Sequence, residues 1–255
     1  MPLPSTTHLL LIPSYNTGDR LLSTVKEALT FWQTVWVVVD ASTDNSHGAV
    51  VEIARHHPQL RVIVRPRNGG KGAAVLTGAK AALAEGFTHA LVMDADGQHP
   101  ADRITDFMAA SAAAPDALIL GKPVFGPEAP QLRLQGRKLS VALVFFELLG
   151  RGIDDPLFGF RVYPLSPLIA ALTATRFARR YDFDPEVAVR MVWNGTPTRN
   201  IPATCRYLAK TDGGVSHFHY LRDNLRMIWL HTRLIAQLLL WPGPAALRHQ
   251  KRRGK

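Results

Sequence analysis

Short apolar runs alternate with longer, helix-like segments along the first half of the chain. The runs are rich in Val, Ile and Leu and apolar on both faces, which is typical of strands in a buried parallel sheet. They are Leu9–Ile12, Val35–Val39, Arg61–Val64, His89–Met93 and Ala117–Leu120. Between them lie segments long enough for crossover helices, namely Asp19–Trp32, Ser46–His57, Lys71–Glu85 and Asp102–Ala113. The alternation predicts an α/β fold with right-handed crossovers.

The second half of the chain adds helices, a loop and one further strand. Helical spacing predicts helices over Gln131–Leu149 and Tyr181–Trp193. A stretch broken by Gly and Pro predicts a loop over Ile153–Tyr163. Pro202–Leu208 is predicted to form an edge strand.

Length and composition exclude several classes of protein. A chain of 255 residues that is 47% hydrophobic and 20% charged is not disordered, collagen-like or a coiled coil. Its one cysteine, Cys205, excludes an intramolecular disulfide and a Cys-rich metal site, and it favours a reducing compartment. We expect no secretory signal, because Met1–Thr7 contains no Lys or Arg. Since no linker divides the chain, we expect one domain over residues 1–219 and an appended element over residues 220–255.

The positive charge is concentrated near the C-terminal end. The formal net charge is +10, and residues 222–255 hold eight Lys and Arg residues against a single Asp. The body has no basic patch with interleaved aromatic residues, so a nucleic-acid-binding module is only the alternative from another class. A local excess of this kind favours contact between the tail and an anionic surface.

Two acidic residues follow the predicted strand His89–Met93. Asp94 and Asp96 are two positions apart, and such a pair can share one hard divalent cation, Mg²⁺ or Mn²⁺, with room left for waters and phosphate oxygens. Gln98 could add a neutral oxygen ligand. The alternative is that the acids only cap the helix that starts near Asp102.

Two more polar segments follow predicted strands. Asn68–Gly72 is a Gly-rich turn before a helix, whose free backbone N–H groups favour an anion, and Lys71 adds a positive charge. Asp40 is placed to accept a hydrogen bond from the imide N–H of a base. The alternatives are a Gly-rich connection without a ligand and, for Asp40–Ser46, a helix N-cap cluster. Ligands bind outside the carboxyl ends of parallel strands, so these segments and Asn16 can converge on one crevice.

Taken together, these segments resemble the family 2 glycosyltransferases with a GT-A fold, most closely the dolichyl- and polyprenyl-phosphate sugar synthases. The resemblance covers roughly residues 8–215 and lies in Ile12–Asn16, Asp40–Ser46, Asn68–Gly72 with Gly78, Asp94–His99 and Gly159–Arg161. It implies a Rossmann-like, mostly parallel sheet flanked by helices. It also implies that the metal is bound by Asp94, Asp96 and Gln98, and that the nucleotide-sugar site is formed by Pro13, Tyr15, Asn16, Asp40, Lys71 and Asp94.

The chain departs from the family pattern at two positions. Val39 stands where the family usually has the first of two acids, which leaves the base contact to Asp40 and the choice between uracil and guanine open. Lys122 follows Gly121 where the family usually has Arg, so the positive charge is kept and the planar guanidinium is lost.

The resemblance implies an inverting, metal-dependent transfer of a sugar from a UDP- or GDP-sugar to an acceptor. A lipid monophosphate needs no strong base, since its oxygen is already ionised near neutral pH. The candidates to bind that phosphate are Lys122, Arg133, Arg137 and Arg161. A sugar nucleotidyltransferase is the alternative enzyme.

A hydroxyl acceptor is the second possibility, and it needs a general base. The acids available for this task are Asp182, Asp184, Glu186, Asp154 and Asp155. We expect Asp96, Arg161 and Asp184 to take part in catalysis. The alternatives are that Asp184 belongs to a helix N-terminus and that Arg161 forms a structural ion pair.

The segment Tyr220–Trp241 is predicted to form an amphipathic helix. Its polar side consists of Arg222, Arg226, Arg233 and Gln237. The segment is too short and too interrupted by polar residues to cross a bilayer, so we expect an interfacial anchor followed by a basic tail. The protein would then be cytoplasmic and attached peripherally to the cytoplasmic face of a membrane. The alternative is a packed helix with a solvated tail.

Overall fold

Seven strands form one mixed sheet in the computed structural model, which describes residues 5–127, 131–150, 152–205 and 220–240. The strands are β1 (His8–Ser14), β2 (Val35–Val39), β3 (Leu60–Val64), β4 (His89–Val92), β5 (Leu118–Phe125), β6 (Arg161–Pro164) and β7 (Thr198–Cys205). Their order is β3-β2-β1-β4-β6-β5-β7. β6 is antiparallel to β4 and β5, and the other described pairs are parallel. The prediction of an α/β fold with a mostly parallel sheet is confirmed.

Helices cover both faces of the sheet. They are α1 (Arg20–Phe31), α2 (Gly48–Ala54), α3 (Lys71–Ala84), α4 (Ile104–Ala112), α5 (Gln131–Glu147), α6 (Leu165–Thr173), α7 (Phe183–Trp193) and α8 (Tyr220–Leu240). Because successive strand side chains point to opposite faces, Leu9 and Leu11 join the core beneath α3, α5, α6, α7 and α8. Leu10 and Ile12 join the core beneath α1, α2 and α4. Burial on both faces explains why the strands are continuous apolar runs.

Two elements of the second half differ from the sequence-based expectation. The stretch Ile153–Tyr163, predicted to be a loop, ends in β6, where Val92 of β4 pairs with Arg161. The helix Leu165–Thr173 follows directly and was not predicted. The predicted edge strand is present as β7 beside β5, but it begins at Thr198, and positions 206–208 lie outside the described residues.

The topology gathers the candidate residues at one edge of the sheet. β1 lies between β2 and β4, so Asn16 after β1, Asp40 after β2 and Asp94 after β4 stand at neighbouring carboxyl ends. β6 runs in the opposite direction, and its first residue, Arg161, therefore reaches the same edge. This edge is where ligands bind in open α/β sheets.

Helix α8 packs on the body through one face. Leu230 and Leu234 are buried in the same core as α5 and α7. Of the expected polar side, Arg222 and Gln237 are exposed, but Arg233 is turned inward to an ion pair with Glu186, which corrects the prediction at that position. The outward face is mainly apolar and includes Ile228. No helix in the described ranges is long and apolar enough to cross a membrane.

Candidate active site

Three charged side chains meet at the carboxyl edge of the sheet. Lys71 begins α3 and places Nζ 2.7 Å from Oδ1 of Asp94 and 2.7 Å from Oδ2 of Asp184. Asp94 follows β4 and Asp184 lies in the first turn of α7, so the cluster joins three separate elements. Burial alone would lower the pKa of Lys71, but Asp184 and Asp94 raise it above its usual value. The ammonium group is therefore charged at neutral pH.

The two acids of the motif have opposite electrostatic environments. Burial alone would raise the pKa of Asp94, but the ammonium group of Lys71 brings it below its usual value. The pKa of Asp96 is raised by burial and then by repulsion from Asp94, although its Oδ1 accepts the N–H of Gln98 at 3.0 Å. A buried carboxylate with a like charge beside it is stabilised most by an added cation.

His99 fixes the backbone between the strand and these acids. Its Nδ1 atom accepts the backbone N–H of Asp94 at 2.9 Å, and its ring packs edge-on against Phe158 with centroids 4.9 Å apart. Burial lowers the pKa of His99, which keeps the ring neutral and able to accept this hydrogen bond. The ring thus holds the first acid of the pair in place.

The residues present fit a divalent cation that binds together with a phosphate-bearing donor. Within the described ranges, no group of three or more His, Cys, Asp or Glu side chains is arranged to hold a metal ion by itself. Mg²⁺ bound to substrate phosphates uses only one or two carboxylates besides waters and phosphate oxygens. Asp94 and Asp96 supply two carboxylates, and Asp96 is the one without charge compensation from Lys71 at hydrogen-bond distance. Gln98 donates its backbone N–H to Asp96. Its role as a metal ligand through the side-chain oxygen stays a prediction.

The Gly-rich turn is closed by Asp40 and is not open to an anion. The backbone N–H groups of Gly69 and Gly70 donate to the Asp40 carboxylate at 3.0 and 2.5 Å, and Arg65 forms an ion pair with the same group. Asp40 is only 2% exposed. The structure therefore corrects the expectation that Asp40 is free to contact a base, because its oxygens already accept these bonds. Lys71, the positive side chain expected at this turn, points instead to Asp94 and Asp184.

The residues at the end of β1 and in the loop after it lie at the same carboxyl edge of the sheet as Asp94. Asn16 has a positive φ of 48°, and its side-chain oxygen accepts the backbone N–H of Thr43 at 2.8 Å, which joins the loops after β1 and β2. Pro13 is buried within β1, and Tyr15 is 37% exposed at its end. The structure thus brings the predicted nucleotide-side residues to the same edge as Asp94.

Arg161 is fully buried and does not face the crevice. Its guanidinium donates to the backbone carbonyls of Phe158 at 2.8 Å, Pro156 at 2.7 Å and Asp184 at 2.5 Å. The expectation that Arg161 binds an acceptor phosphate directly is wrong in this geometry, because its N–H groups are used within the protein. Arg161 instead holds the turn before β6 against the first turn of α7.

The other expected acceptor residues lie beside carboxylates. Lys122 is half-exposed and its Nζ lies 3.0 Å from Asp154, whereas Arg137 is mostly buried and lies 2.5 Å from Asp155. Asp155 also accepts two backbone N–H groups, which makes Arg137 part of a fixed loop structure. The side chain of Arg133 lies outside the described residues.

Two contacts at the site were not predicted. A Cβ atom at Gly159 would lie 2.5 Å from Nζ of Lys71 and 3.2 Å from Oδ2 of Asp94, so any larger residue here would displace the Lys71 ammonium group. The start of α3 also rests on the loop before α7, where the N–H of Gly72 donates to the carbonyl of Arg179 at 2.9 Å. The sequence contains no local signal for either contact, because each joins segments that are far apart along the chain.

Two curated proteins are similar to this chain over most of its length. The chain is 29% identical to polyprenol monophosphomannose synthase of Mycolicibacterium smegmatis over 207 residues, which is 79% of this chain and 78% of that protein. It is 26% identical to the dolichyl-phosphate beta-glucosyltransferase ALG5C of Trichomonas vaginalis over 199 residues, 70% of this chain and 58% of that one.

Solved structures share the fold at lower identity. A mannosyltransferase from Pyrobaculum calidifontis in complex with GDP-Man and Mn²⁺ aligns with a TM-score of 0.61 at 18% identity, over 93% of this chain and 66% of that chain. TarS of S. aureus in complex with UDP-GlcNAc gives 0.54 at 17% identity, over 88% and 66%. These likenesses concern the fold alone, and they confirm the expected GT-A architecture. The model of glycosyl transferase family 2 matches residues 10–166, which is more than half of the chain. The protein therefore belongs to glycosyl transferase family 2 and is a glycosyltransferase.

Proposed function

We propose that this glycosyltransferase moves a sugar from a UDP- or GDP-sugar to a polyprenyl phosphate lipid, with inversion at the anomeric carbon. The observation that carries the proposal is the acid pair Asp94 and Asp96 beside the charged Lys71 at the carboxyl edge of the sheet. The acceptor class is supported by the names of both relatives, which are synthases or transferases of polyprenol or dolichyl phosphates.

The donor diphosphate would meet this cluster. Asp94 and Asp96 would hold a divalent cation, with Gln98 as a further ligand, and a cation bound there supplies Lewis-acid stabilisation of the leaving diphosphate. Lys71 adds a second positive charge within the same cluster. Gly159 leaves no side chain over these groups, which keeps them together on one side of the crevice.

The ion pair between Asp184 and Lys71 favours a phosphate acceptor. This carboxylate is bound to Lys71 at 2.7 Å and its backbone carbonyl to Arg161, so it is held as part of the cluster. A lipid monophosphate attacks with an oxygen that is already ionised and needs positioning more than a base. Among the expected acceptor residues whose side chains are described, Lys122 stays half-exposed, and an incoming phosphate could replace Asp154 as its partner. The hydroxyl alternative would need a general base, and the Oδ2 atom of Asp184 is already paired with Lys71.

We further propose that the protein attaches peripherally to the cytoplasmic face of a membrane through α5 and α8. Both helices expose large apolar side chains, among them Phe145 and Phe146 on α5 and Ile228, Trp229 and Leu240 on α8. Trp229 is 55% and Leu240 87% exposed. The basic tail over residues 241–255 lies outside the described part of the chain, and its Lys and Arg residues would contribute about 1 kcal/mol each near an anionic leaflet.

The acceptor and the metal are tested in one transfer assay. The full chain is incubated with UDP- and GDP-sugars and with either polyprenyl phosphate or polyprenol, in the presence of Mn²⁺, Mg²⁺ or a chelator. We expect transfer to the phosphate only, and none with the chelator. The control is Asp106→Asn, which changes an exposed acid paired with Arg103 outside the cluster and should leave the rate unchanged. Transfer to polyprenol at an equal rate, or full activity in the chelator, would refute the proposal.

Membrane attachment is tested by co-sedimentation with vesicles. The full chain should sediment with anionic vesicles at low salt and less at high salt. Trp229→Ser should weaken binding, whereas Val64→Ser, which changes an equally exposed apolar residue at the end of β3, should not. A full chain that stays in the supernatant with anionic vesicles at low salt would overturn the idea.

A further inference from the structure

Arg233 of α8 makes a bidentate ion pair with Glu186 of α7, the helix that also carries Asp184. Its two terminal nitrogens lie 3.1 and 2.8 Å from the two carboxylate oxygens of Glu186, which is fully buried in the first turn of α7. Arg190 also donates to Glu186 at 2.9 Å. Asp184 lies two residues earlier in the same turn. The position of this turn therefore depends on a side chain from the last described helix.

Arg233 also supports the loop before α7. Its guanidinium lies over the ring of Phe177, 3.7 Å from the centroid. Two residues further along this loop, the carbonyl of Arg179 accepts the N–H of Gly72 at the start of α3. The start of α3 is also where Lys71 stands. One guanidinium thus contacts both segments that place the two ends of the Lys71–Asp184 ion pair.

We infer that Arg233 is a positioning residue for the Lys71–Asp184 pair and acts through Glu186 and Phe177. A bidentate Arg–carboxylate pair fixes geometry as well as charge, and a Lys at the same position does not reproduce the planar fork. Glu186 is fully buried, so loss of one of its two Arg partners leaves a carboxylate with incomplete compensation. A displacement of about 1 Å in a catalytic arrangement costs roughly 100-fold in rate.

The consequence concerns how the enzyme is assembled. The inference rests on the proposed function in one respect, namely that Lys71 and Asp184 serve the transfer reaction. The helix proposed to lie on the membrane then also holds the active-site pair in position. Sugar transfer should therefore depend on how α8 packs against α7, even with donor and acceptor both present.

The experiment compares Arg233→Lys with Arg226→Lys in the full chain. Arg226 is a matched control, because it lies on the same helix and pairs at 2.9 Å with Asp223, a fully buried carboxylate on α8 itself. We expect Arg233→Lys to lower kcat about 10- to 100-fold, with a change of less than about threefold in the donor KM, whereas Arg226→Lys keeps the wild-type kcat. Equal losses in both variants, together with equal losses in melting temperature, would mean a merely structural role and overturn the inference. So would a normal kcat in Arg233→Lys.

A double-mutant cycle tests the route through Glu186. If Arg233 acts through this carboxylate, Arg233→Met should lower kcat by a much smaller factor in the Glu186→Gln background than in the wild type. Full additivity would contradict this route. The double variant removes the charges of Arg233 and Glu186 together and leaves Arg190 its hydrogen bond to Gln237, so it is expected to fold when Arg233→Met alone does not.

Amide hydrogen exchange separates this inference from the proposed function. Peptides that cover residues 70–73 and 176–186 should exchange faster in Arg233→Lys than in Arg226→Lys, since the hydrogen bond from Gly72 to Arg179 would open more often. An inactive wild type would refute the proposed function, and the exchange rates would still decide on the positioning role. Unchanged exchange in both peptides would overturn it.

Discussion

Two stacked histidines at the amino-terminal edge of the sheet should make this protein sensitive to acid. His8 begins β1 and His89 begins β4, and their rings are parallel within 6° with centroids 4.4 Å apart. Nε2 of His8 lies 3.1 Å from Oγ of Ser111, which is fully buried. Burial and then His89 lower the pKa of His8 from 6.5 to about 4. The folded protein therefore keeps this ring neutral where the unfolded chain would protonate it.

The size of the effect follows from the two pKa values. The unfolded chain binds a proton at His8 near pH 6.5, and the folded chain does so only near pH 4. The contribution of His8 to stability is thus fully present above pH 6.5 and is lost as the pH falls to 4. At about 1.4 kcal/mol per pH unit, the difference corresponds to about 3 kcal/mol. That is a large part of the roughly 5–15 kcal/mol that stabilises a typical domain.

The measurement is urea unfolding at a series of pH values, with His8→Gln compared to the wild type. Gln keeps a polar group that can reach Ser111 but does not titrate in this range. Between pH 7 and pH 4.5 the wild type should lose about 2 kcal/mol more unfolding free energy than the variant. The exposed His56 provides the control His56→Gln, which should follow the wild-type curve. If the wild type and His8→Gln lose the same stability across this range, the reasoning is wrong.

Three substitutions at the active site have distinct expected outcomes. Asp96→Asn should lower sugar transfer at least about 100-fold and leave the melting temperature unchanged or higher, because burial and Asp94 raise the pKa of this carboxyl; a lower melting temperature would contradict that view. Gly159→Ala should lower kcat, since its Cβ would lie 2.5 Å from Nζ of Lys71, and steady-state kinetics with normal values would exclude this contact. Arg161→Ala should be poorly folded, because each buried carbonyl left without its donor costs about 1–3 kcal/mol, and a soluble variant with a wild-type melting temperature would refute this.

The strands of the first half could be predicted because each is an apolar run that both faces of the sheet bury. Their observed starts lie within one residue of the expected ones. β6 could not be predicted, since Arg161–Pro164 contains a charged residue and lies next to a Gly–Phe turn. Its strand character comes from pairing with β4 and β5, which are distant in sequence. A local pattern carries no record of such pairing.

The candidate site could be predicted as far as strand ends determine it. Asn16, Asp40 and Asp94 follow neighbouring parallel strands, and the rule for ligand sites in α/β sheets places them together. The partners of these residues depend on contacts across the chain and could not be predicted. Asp40 is saturated by the Gly-rich turn, and Lys71 finds Asp184, a partner 113 positions away, as well as Asp94.

Helix α8 shows what helical periodicity alone cannot predict. The spacing of Arg226 and Arg233 places them near one face, but spacing alone does not say whether that face meets water or protein. The answer comes from Glu186, a buried acid that needs an inward-facing base from elsewhere in the chain. His231 meets the second such acid, Glu147, at 2.7 Å. Because Arg233 and His231 face inward, apolar side chains such as Ile228 are left on the outer face, and the same helix can both hold the Lys71–Asp184 pair in position and contact a membrane.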